Sequence, residues 1–342
     1  MKRKKVLITG GEGFLGTYLV DYLSKKRYDV VVFDKLAGHV QGDITLPSDV
    51  RRVFEKFGPF ETVYHLASAM PDKVISDDLT RKTNVEGTAN VVREAVTRGV
   101  KSFMFTSSNV TYGIPKELPV TEETPLRPLE VYGRSKAQAE AELAKFRGRV
   151  NIGIFRCPVI TGVGRLGLQA ILFEFISENR NIYVLGDGLN RYQIVDAMDV
   201  CIALEKASHV RGFDIYNIGG DGITPLREIY RNVIEAAGST SRIVSLPKAP
   251  ALMVLTILDK LNISPLGVYQ YSMLGRSLYM DTTKIKIKLR WKPKKTNAES
   301  FIENYQWYIK NKETFTEVGS GSASNNRSLP KMKIFTLLKL LS

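Results

Sequence analysis

The 342-residue sequence predicts an α/β protein with a doubly wound parallel sheet and a smaller C-terminal lobe. The first observation behind this prediction is that, up to about residue 156, short apolar runs alternate with longer amphipathic runs. Strands joined by helical crossovers produce that alternation. The second observation is that the first apolar run, Val6–Ile8, is followed at once by glycines at positions 10, 11, 13 and 16.

The glycine-rich stretch predicts a strand, a tight turn and a helix whose first amides point at an anion. Gly11, Gly13 and Gly16 satisfy the G-x-G-x-x-G spacing, and an amphipathic run follows over residues 17–26. A second apolar strand, residues 30–33, ends in Asp34, eighteen residues after Gly16. A carboxylate at that distance accepts hydrogen bonds from an adenosine ribose. The first unit is therefore predicted to bind a dinucleotide.

The remaining elements follow in order along the chain. Further strands are predicted at residues 39–44, 61–68, 101–107, 151–156 and 213–218. Helices are predicted at residues 48–57, 76–98, 131–146, 168–178, 198–207, 225–237 and 298–310, with a further closing segment at 284–291. Residues 248–275 are apolar and predicted to be helical, with breaks at the prolines.

The regular alternation of apolar and amphipathic runs changes after residue 160, and this change sets the predicted domain boundary. Residues 1–160 form a nucleotide-binding core, and residues 161–312 complete the sheet and form the substrate-binding lobe. Residues 313–328 read as a linker, because they are rich in glycine, serine and asparagine. Residues 329–342 regain an apolar helical stripe with lysines opposite, which predicts a basic amphipathic tail able to contact a membrane surface.

Charge and cysteine content narrow the class of protein. The net charge is +14, yet no basic run is interleaved with aromatic residues, so we expect no nucleic-acid partner. Cys157 and Cys201 stand far apart in apolar surroundings, with neither metal-ligand spacing nor a disulfide framework. No apolar leader follows Met1. We expect a cytoplasmic protein, with a peripheral membrane contact through the tail, and no metal site.

Three residues carry the predicted chemistry. Tyr132 and Lys136 are four residues apart, so one face of the predicted helix carries both. A lysine ammonium beside a phenol lowers the pKa of the phenol and suits it to proton transfer near neutral pH. Ser108 follows the strand at 101–107, at the carboxyl edge where open sheets bind ligands, and its hydroxyl is placed to hold a reacting oxygen.

Together these motifs resemble the extended short-chain dehydrogenase/reductases, and within them the NAD-dependent epimerase/dehydratase group. The matching stretches are TGGEGFLG (9–16), GDIT (42–45), HLAS (65–68), NVEGT (84–88), TSSNVTYG (106–113), VYGRSK (131–136), FRCPVITG (155–162), NRYQIVDAMDV (190–200), YNIGG (216–220) and DTTKIKIKLRWKPK (281–294). The resemblance extends to about residue 310. It implies a Rossmann sheet, NAD as cofactor and Ser108, Tyr132 and Lys136 as the catalytic trio.

The resemblance also assigns cofactor contacts and a quaternary structure. Phosphate contacts fall on Gly10, Gly13, Phe14, Leu15 and Gly16, ribose contacts on Asp34 with Lys35 beside it, and adenine contacts on Asp43 and Ile44. Leu66, Ala67, Ser68, Asn84 and Ser107 are expected to line the dinucleotide, with Tyr132, Lys136 and Pro158 near the nicotinamide. Family members commonly pair two helices into a four-helix bundle, so a homodimer is expected through helices 76–98 and 133–147.

The departures from the family pattern bear on the substrate. Related dehydratases carry an acidic pair after the catalytic serine or threonine, whereas this chain has Asn109 and Val110. Related epimerases grip a diphosphate with an arginine where this chain has Tyr192, with Arg191 one residue early. Arg276, the candidate for their later arginine, stands only five residues before Asp281. Ser108, Asn109, Arg191 and Arg276 are the predicted substrate contacts.

Three functions are compatible with these residues. The first is an NAD-dependent enzyme that transfers a hydride at a secondary alcohol carbon of a nucleotide-linked sugar, as a UDP-sugar 4-epimerase does. The second is a dehydrogenase or reductase of a sterol-like or lipid-linked alcohol, which the altered arginines and the apolar segment at 251–274 favour. The third is a non-catalytic NAD-binding protein, and the complete catalytic trio argues against it.

Overall fold

The computed structural model describes residues 3–70, 76–164, 166, 169–253, 272–273 and 275–315. The described residues fall into two compact units whose segments alternate along the chain. The first unit takes its residues from 1–160, 197–218 and 280–292, and the second from 161–196, 219–279 and 293–342. Residues 316–342, which comprise most of the predicted linker and the whole predicted tail, lie outside the described residues, as does most of the apolar segment at 248–275. A 3₁₀ turn, Lys312–Phe315, occupies the start of the predicted linker. The predicted domain boundaries stay a prediction.

A seven-stranded parallel sheet organises the first unit, in the order β10-β6-β5-β4-β1-β2-β3. Its strands are β1 (Lys5–Thr9), β2 (Asp29–Asp34), β3 (Val40–Gln41), β4 (Thr62–His65), β5 (Ser102–Ser108), β6 (Asn151–Cys157) and β10 (Phe213–Asn217). The order reverses between β1 and β4, which is the feature that opens a ligand crevice at the carboxyl ends of the strands. The predicted doubly wound parallel sheet is confirmed.

Helices cross between these strands. They are α1 (Phe14–Lys25), α2 (Pro47–Phe57), α3 (Asp77–Arg81), α4 (Thr88–Thr97), α5 (Val131–Ala144), α7 (Ala197–Ala207) and α9 (Thr283–Leu289). Local signals set several boundaries: Pro47 occupies the first turn of α2, and the Ser76 hydroxyl caps α3 by accepting the Leu79 amide. A π-helical turn, Lys82–Gly87, joins α3 to α4 where the sequence predicted one continuous helix.

The core of the first unit forms where alternate strand residues meet one set of helices. Leu7 and Val63 of the sheet are fully buried and belong to one apolar cluster with Val50 of α2, Val91 of α4 and Leu143 of α5. Alternation along each strand places these side chains on one face of the sheet. Helix α7 packs against both α1 and α9 in the same unit. The cluster fixes α5, which carries Tyr132 and Lys136, against the sheet.

The second unit is a smaller assembly of helices and short strands. It contains α6 (Gln169–Ser177), β8 (Ile182–Leu185), β9 (Ile194–Asp196), α8 (Leu226–Ala237), β11 (Ile243–Leu246) and α10 (Asn297–Asn311), while β7 (Val159–Thr161) leads into it. Strand β11 pairs parallel with β8. Phe173, Val233 and Tyr305 lie in its apolar core. A capping box between Thr296 and Glu299 begins α10. The sequence did not predict β7, β8, β9 or β11.

Candidate functional site

The glycine turn between β1 and α1 is tight because the backbone approaches itself closely. Gly10 has a φ of +72°, and a Cβ there would lie 2.6 Å from the Ala67 nitrogen. A Cβ on Gly16 would lie 2.2 Å from the Gly10 carbonyl oxygen. Gly13 precedes Phe14 at the start of α1, and no side chain caps that helix end. The turn therefore brings the amides of a helix N-terminus to a cradle that any larger residue would fill, which fits the pyrophosphate of a dinucleotide.

Asp34, at the carboxyl end of β2, is held in place by backbone amides. Its two carboxylate oxygens accept hydrogen bonds from the Glu12 amide at 3.1 Å and the Leu36 amide at 3.0 Å. The carboxylate thus ties the glycine turn to the segment after β2. Its position next to the cradle is where the sequence predicted a ribose contact.

Lys35 and Asp43 form an ion pair beside that carboxylate. The Lys35 ammonium lies 3.0 Å from the Asp43 carboxylate, and the Thr45 amide donates to the same carboxylate at 2.8 Å. Burial opposes ionisation of Asp43, but the Thr45 amide and Lys35 together lower its pKa. Ile44, the next residue, is buried against Gly87 of the π-helical turn.

Asn84 connects the end of β4 to helix α5. It lies buried in the π-helical turn, accepts the Ala69 amide at 2.8 Å and the Ser68 hydroxyl at 3.1 Å, and donates to the Ser135 hydroxyl at 2.9 Å. Ser135 is the neighbour of Lys136. The structure therefore brings the predicted dinucleotide-lining residues of the β4 end into one hydrogen-bonded group with the predicted catalytic helix.

Lys136 is buried, with 2% of its surface exposed. Its ammonium donates to the Thr106 carbonyl of β5 at 2.9 Å and lies 4.7 Å from the Phe105 ring centre and 5.9 Å from the Tyr132 ring centre. Burial lowers the pKa of Lys136 to about 8, although Cys157 and Glu140 oppose the shift. The predicted arrangement of a lysine under a tyrosine on one helical face is present.

Ser108 is the last residue of β5, so it stands at the carboxyl edge of the sheet. Its Oγ accepts the Val110 amide at 3.4 Å and begins a 3₁₀ turn, Asn109–Tyr112. A Cβ on Gly133 of α5 would lie 3.0 Å from the Val110 carbonyl oxygen, so the first turn of α5 packs directly on this turn. The segments that carry Ser108, Tyr132 and Lys136 are therefore adjacent in the first unit.

Three other predicted site residues occupy the same edge. Asn109 is buried at the position that follows Ser108, and Pro158 follows β6 directly. Ser107 is also buried, and its hydroxyl donates to Glu140 of α5 at 2.5 Å. The Ser107 hydroxyl is thus engaged inside the protein.

Arg191 and Arg276 lie in the second unit. The Arg191 amide donates to the Ser277 hydroxyl at 3.0 Å, and the Leu278 amide donates to the Arg191 carbonyl at 2.8 Å. The Arg276 guanidinium donates to the Ser272 carbonyl at 2.9 Å. The structure therefore places the two predicted arginines on segments that are bonded to each other.

Sequence reasoning missed a buried polar group beneath this edge. Its members are Glu140 of α5, Arg156 of β6, Asn217 of β10 and Tyr112, which ends the 3₁₀ turn after Ser108. A charged residue inside the apolar strand Asn151–Cys157 was the available signal, because an arginine is almost never buried without an acidic partner. The partner was not identifiable from spacing, since it lies sixteen residues away on another element.

The parallel sheet, the glycine cradle at its carboxyl edge and the buried lysine beside Tyr132 are the features of an NAD-binding enzyme. Residues 6–219 match the model of the NAD dependent epimerase/dehydratase family. The chain belongs to that family, and NAD is its cofactor.

Similar proteins extend over nearly the whole chain. An uncharacterized protein, y4nG of Sinorhizobium fredii, is 34% identical over 98% of this chain and 85% of its own length. A UDP-glucose 4-epimerase of Lactobacillus helveticus is 28% identical, covering 89% of this chain and 97% of its own. The crystal structure of a Thermotoga maritima UDP-glucose 4-epimerase with UDP-glucose matches with a TM-score of 0.74 and 25% identity, over 90% of this chain and 99% of that one.

In the described part of the chain, no helix is long and apolar enough to cross a membrane.

The buried ammonium of Lys136 predicts a pH limit for cofactor binding. If the charged form holds the cofactor, affinity for NAD is constant below the pKa of about 8 and falls as pH rises through it, by up to about tenfold per pH unit. Calorimetric titration with NAD from pH 6 to pH 10 measures this. A Lys136→Met control has no titrating group at this position, so it should bind NAD weakly and its affinity should not fall as pH rises. An affinity of the unmodified protein that is flat across pH 7–10 would contradict the prediction.

Proposed function

We propose that this protein is a UDP-sugar 4-epimerase that works by hydride transfer at a secondary alcohol carbon. The observation that carries the proposal is the buried Lys136 ammonium beneath the Tyr132 ring, next to the strand end that carries Ser108. The similarity to UDP-glucose 4-epimerases over most of the chain supports the choice of substrate class.

In the proposed binding mode, the dinucleotide lies across the carboxyl edge of β1, β2 and β4. Gly10, Gly13, Phe14, Leu15 and Gly16 hold the pyrophosphate, and Asp34 accepts hydrogen bonds from the adenosine ribose. Asp43 and Ile44 adjoin the adenine. Leu66, Ala67, Ser68 and Asn84 line the middle of the cofactor, and Pro158 lies by the nicotinamide. The cradle at Gly10 and Gly16, which a Cβ would fill, supports this assignment.

A bound NAD would supply the acceptor, and then the donor, of the hydride that leaves and returns to the alcohol carbon. The protein's own groups handle the proton and the geometry. Tyr132 takes the hydroxyl proton as the carbon is oxidised and gives it back when the opposite face of the ketone is reduced. Lys136 holds the nicotinamide ribose and, as a cation, favours the phenolate of Tyr132. Ser108 orients the reacting oxygen, and Asn109, Arg191 and Arg276 are the proposed substrate contacts.

The residues after Ser108 argue against a dehydratase within the same family. Elimination of water requires a general acid and a general base near the reacting carbons. Asn109 and Val110 occupy the two positions, and neither side chain carries a titratable carboxyl group. Of the protein's own side chains, hydride transfer to and from NAD without elimination needs only those of Tyr132, Lys136 and Ser108.

A lipid-linked alcohol is the second candidate substrate. Tyr192 stands at the position where related epimerases place a diphosphate-binding arginine, and its backbone pairs with Leu278. A panel of UDP-sugars, other sugar nucleotides and sterol or lipid-linked alcohols, assayed for epimer exchange and NADH formation, separates the candidates.

Loss of the Tyr132 hydroxyl should abolish turnover and spare cofactor binding. In Tyr132→Phe, epimer exchange should fall by about a hundred- to ten-thousand-fold, because the proton-transfer group is removed. NAD affinity should stay within about threefold, since no cofactor contact depends on the hydroxyl alone. Tyr22→Phe is a matched control: Lys26 also lies four residues on, with its ammonium 5.0 Å from the Tyr22 ring centre. Full activity in Tyr132→Phe would show that the site is misassigned.

Cofactor choice should favour NAD over NADP through Asp34. Its carboxylate repels a 2′-phosphate, and Lys35 is already paired with Asp43. Asp34→Asn removes the charge but keeps an oxygen for the Glu12 or Leu36 amide, so the ratio of NADP to NAD affinity should rise by at least about tenfold. Asp21→Asn, in a surface pair with Lys25, is the control. Equal or tighter NADP binding by the unmodified protein would refute this assignment.

We further propose a homodimer through α3, α4 and α5. Within residues 76–98 and 133–147, Ala141 is exposed and Val85 and Ala137 are half-buried, whereas Val92 packs inward in the core. Multi-angle light scattering should give twice the 38.3 kDa chain mass at micromolar concentration. Ala141→Arg should shift the protein toward monomer, because it adds a charge to the interface, and Ser24→Arg on α1 should not. A monomeric unmodified protein would contradict the dimer.

We propose a cytoplasmic protein whose residues 329–342 contact anionic membrane surfaces. The support is sequence alone: Lys331, Lys333 and Lys339 accompany an apolar helical stripe. Each lysine contributes about 1 kcal/mol near an anionic surface, so binding should be weak and salt-sensitive. Co-sedimentation with phosphatidylserine vesicles should retain the full chain and lose one that ends at Glu317. Equal sedimentation of both chains would exclude the tail as an anchor.

A further inference from the structure

A row of polar residues crosses the carboxyl ends of three adjacent strands in the first unit. Ser107 of β5 is the register partner of Arg156 of β6, and Arg156 is the register partner of Asn217 of β10. All three side chains are buried. This row lies directly beneath the candidate site, because Ser107 immediately precedes Ser108 in β5.

Glu140 of α5 joins this row from the helix side. It accepts hydrogen bonds from the Ser107 hydroxyl at 2.5 Å and from Arg156 Nη2 at 2.7 Å, with Arg156 Nε 3.2 Å from both carboxylate oxygens. Glu140 is 5% exposed and Arg156 3% exposed. Both oxygens of the Glu140 carboxylate therefore accept hydrogen bonds, and they link α5 to the ends of β5 and β6.

The other branch of Arg156 holds the chain that follows Ser108. Arg156 Nη1 donates to the Tyr112 hydroxyl and to the Glu122 carbonyl, each at 2.9 Å. The Tyr112 hydroxyl donates to the Asn217 side chain at 2.6 Å. The turn after Ser108 and the helix that carries Tyr132 and Lys136 thus converge on the Glu140–Arg156 pair.

We propose that Glu140 is a positioning residue, which holds the strand end carrying Ser108 and the helix carrying Tyr132 and Lys136 in one fixed arrangement. The inference rests on the proposed catalytic roles of those three residues. Glu140 is buried, and it acts through Ser107, Arg156 and the adjacent turn of α5.

The charge of Glu140 has a second effect on Lys136, one helical turn away. The charged or titratable groups that face Lys136 are Tyr132 and Glu140 on α5, Cys157 on β6 and His65 on β4. Burial lowers the pKa of Lys136 to about 8, and Glu140 works against that shift. Burial, with Lys136 nearby, lowers the pKa of His65 to about 3, so His65 adds no charge at neutral pH. Without the carboxylate, Arg156 is left unopposed and Lys136 loses its proton at lower pH.

The test compares Glu140→Gln with the unmodified enzyme. Glutamine keeps the shape and one acceptor for Ser107 but removes the charge. We expect the turnover number at pH 7 to fall by about tenfold or more. We also expect the alkaline limit of NAD affinity to move to lower pH, because Glu140 raises the pKa of Lys136; loss of packing alone would not produce this change. Glu140→Asp restores the charge and should return that limit toward the unmodified value.

Two further variants keep the test decisive. Glu142→Gln removes a half-buried carboxylate of the same helix that pairs with Lys145, and it should change neither the turnover number nor the alkaline limit. Ser107→Ala leaves the Glu140–Arg156 pair intact and cuts only its link to the strand end. It should lower turnover several-fold without moving the alkaline limit, and it carries the test if circular dichroism shows Glu140→Gln to be unfolded.

An alkaline limit in Glu140→Gln that coincides with that of the unmodified protein would overturn the inference, and so would unchanged turnover in Ser107→Ala. An unmodified protein that binds NAD but converts no sugar nucleotide would contradict the proposed function instead. In that case the NAD-affinity profiles of Glu140→Gln and Glu140→Asp still decide the role of Glu140.

Discussion

The ion pair between Glu140 and Arg156 is the interaction on which the candidate site depends. Taking two charges out of water is costly, and the pair is tolerated because each partner is forked and every branch ends on a hydrogen-bonding group. Removing one partner of such a pair typically costs about 3–5 kcal/mol, since the other charge is left buried. The pair therefore locks β5, β6 and α5 into one geometry at the edge where Ser108, Tyr132 and Lys136 meet.

Burial has opposite consequences for the two cations of this region. Arg156 is a permanent cation, and Glu140 lies against it and raises its pKa despite burial. The Lys136 ammonium donates a hydrogen bond to a carbonyl, and no ion pair with a carboxylate is found for it among the residues that the structure describes; burial brings its pKa down to about 8. One cation is thereby a fixed structural element, and the other is poised to respond to the groups that come near it. This difference suits the lysine to a site where protons move.

Much of the fold was accessible from the sequence because its signals are local. The glycines after β1, the carboxylate at the end of β2 and the strand–helix alternation each occupy neighbouring positions, and the predicted parallel sheet is confirmed. The short strands β8, β9 and β11 were missed, since three or four residues carry too little periodicity to separate from loops. The π-helical turn at 82–87 was missed because it contains Asn84, whose side chain hydrogen-bonds to Ala69 and Ser135, and these partners lie far away in sequence.

By itself, the sequence determined the cofactor class, the parallel sheet and the identity of the residues that stand at its carboxyl edge, because turn chemistry and hydrophobic period act over a few residues. Only the tertiary structure decided which of those residues meet, and that Ser107 faces Glu140 and not open solvent. It also decided that Lys136 is buried and that Arg156 has a partner. These outcomes depend on how far each group is removed from water and on which distant elements pair, and both are decided only once the chain has folded.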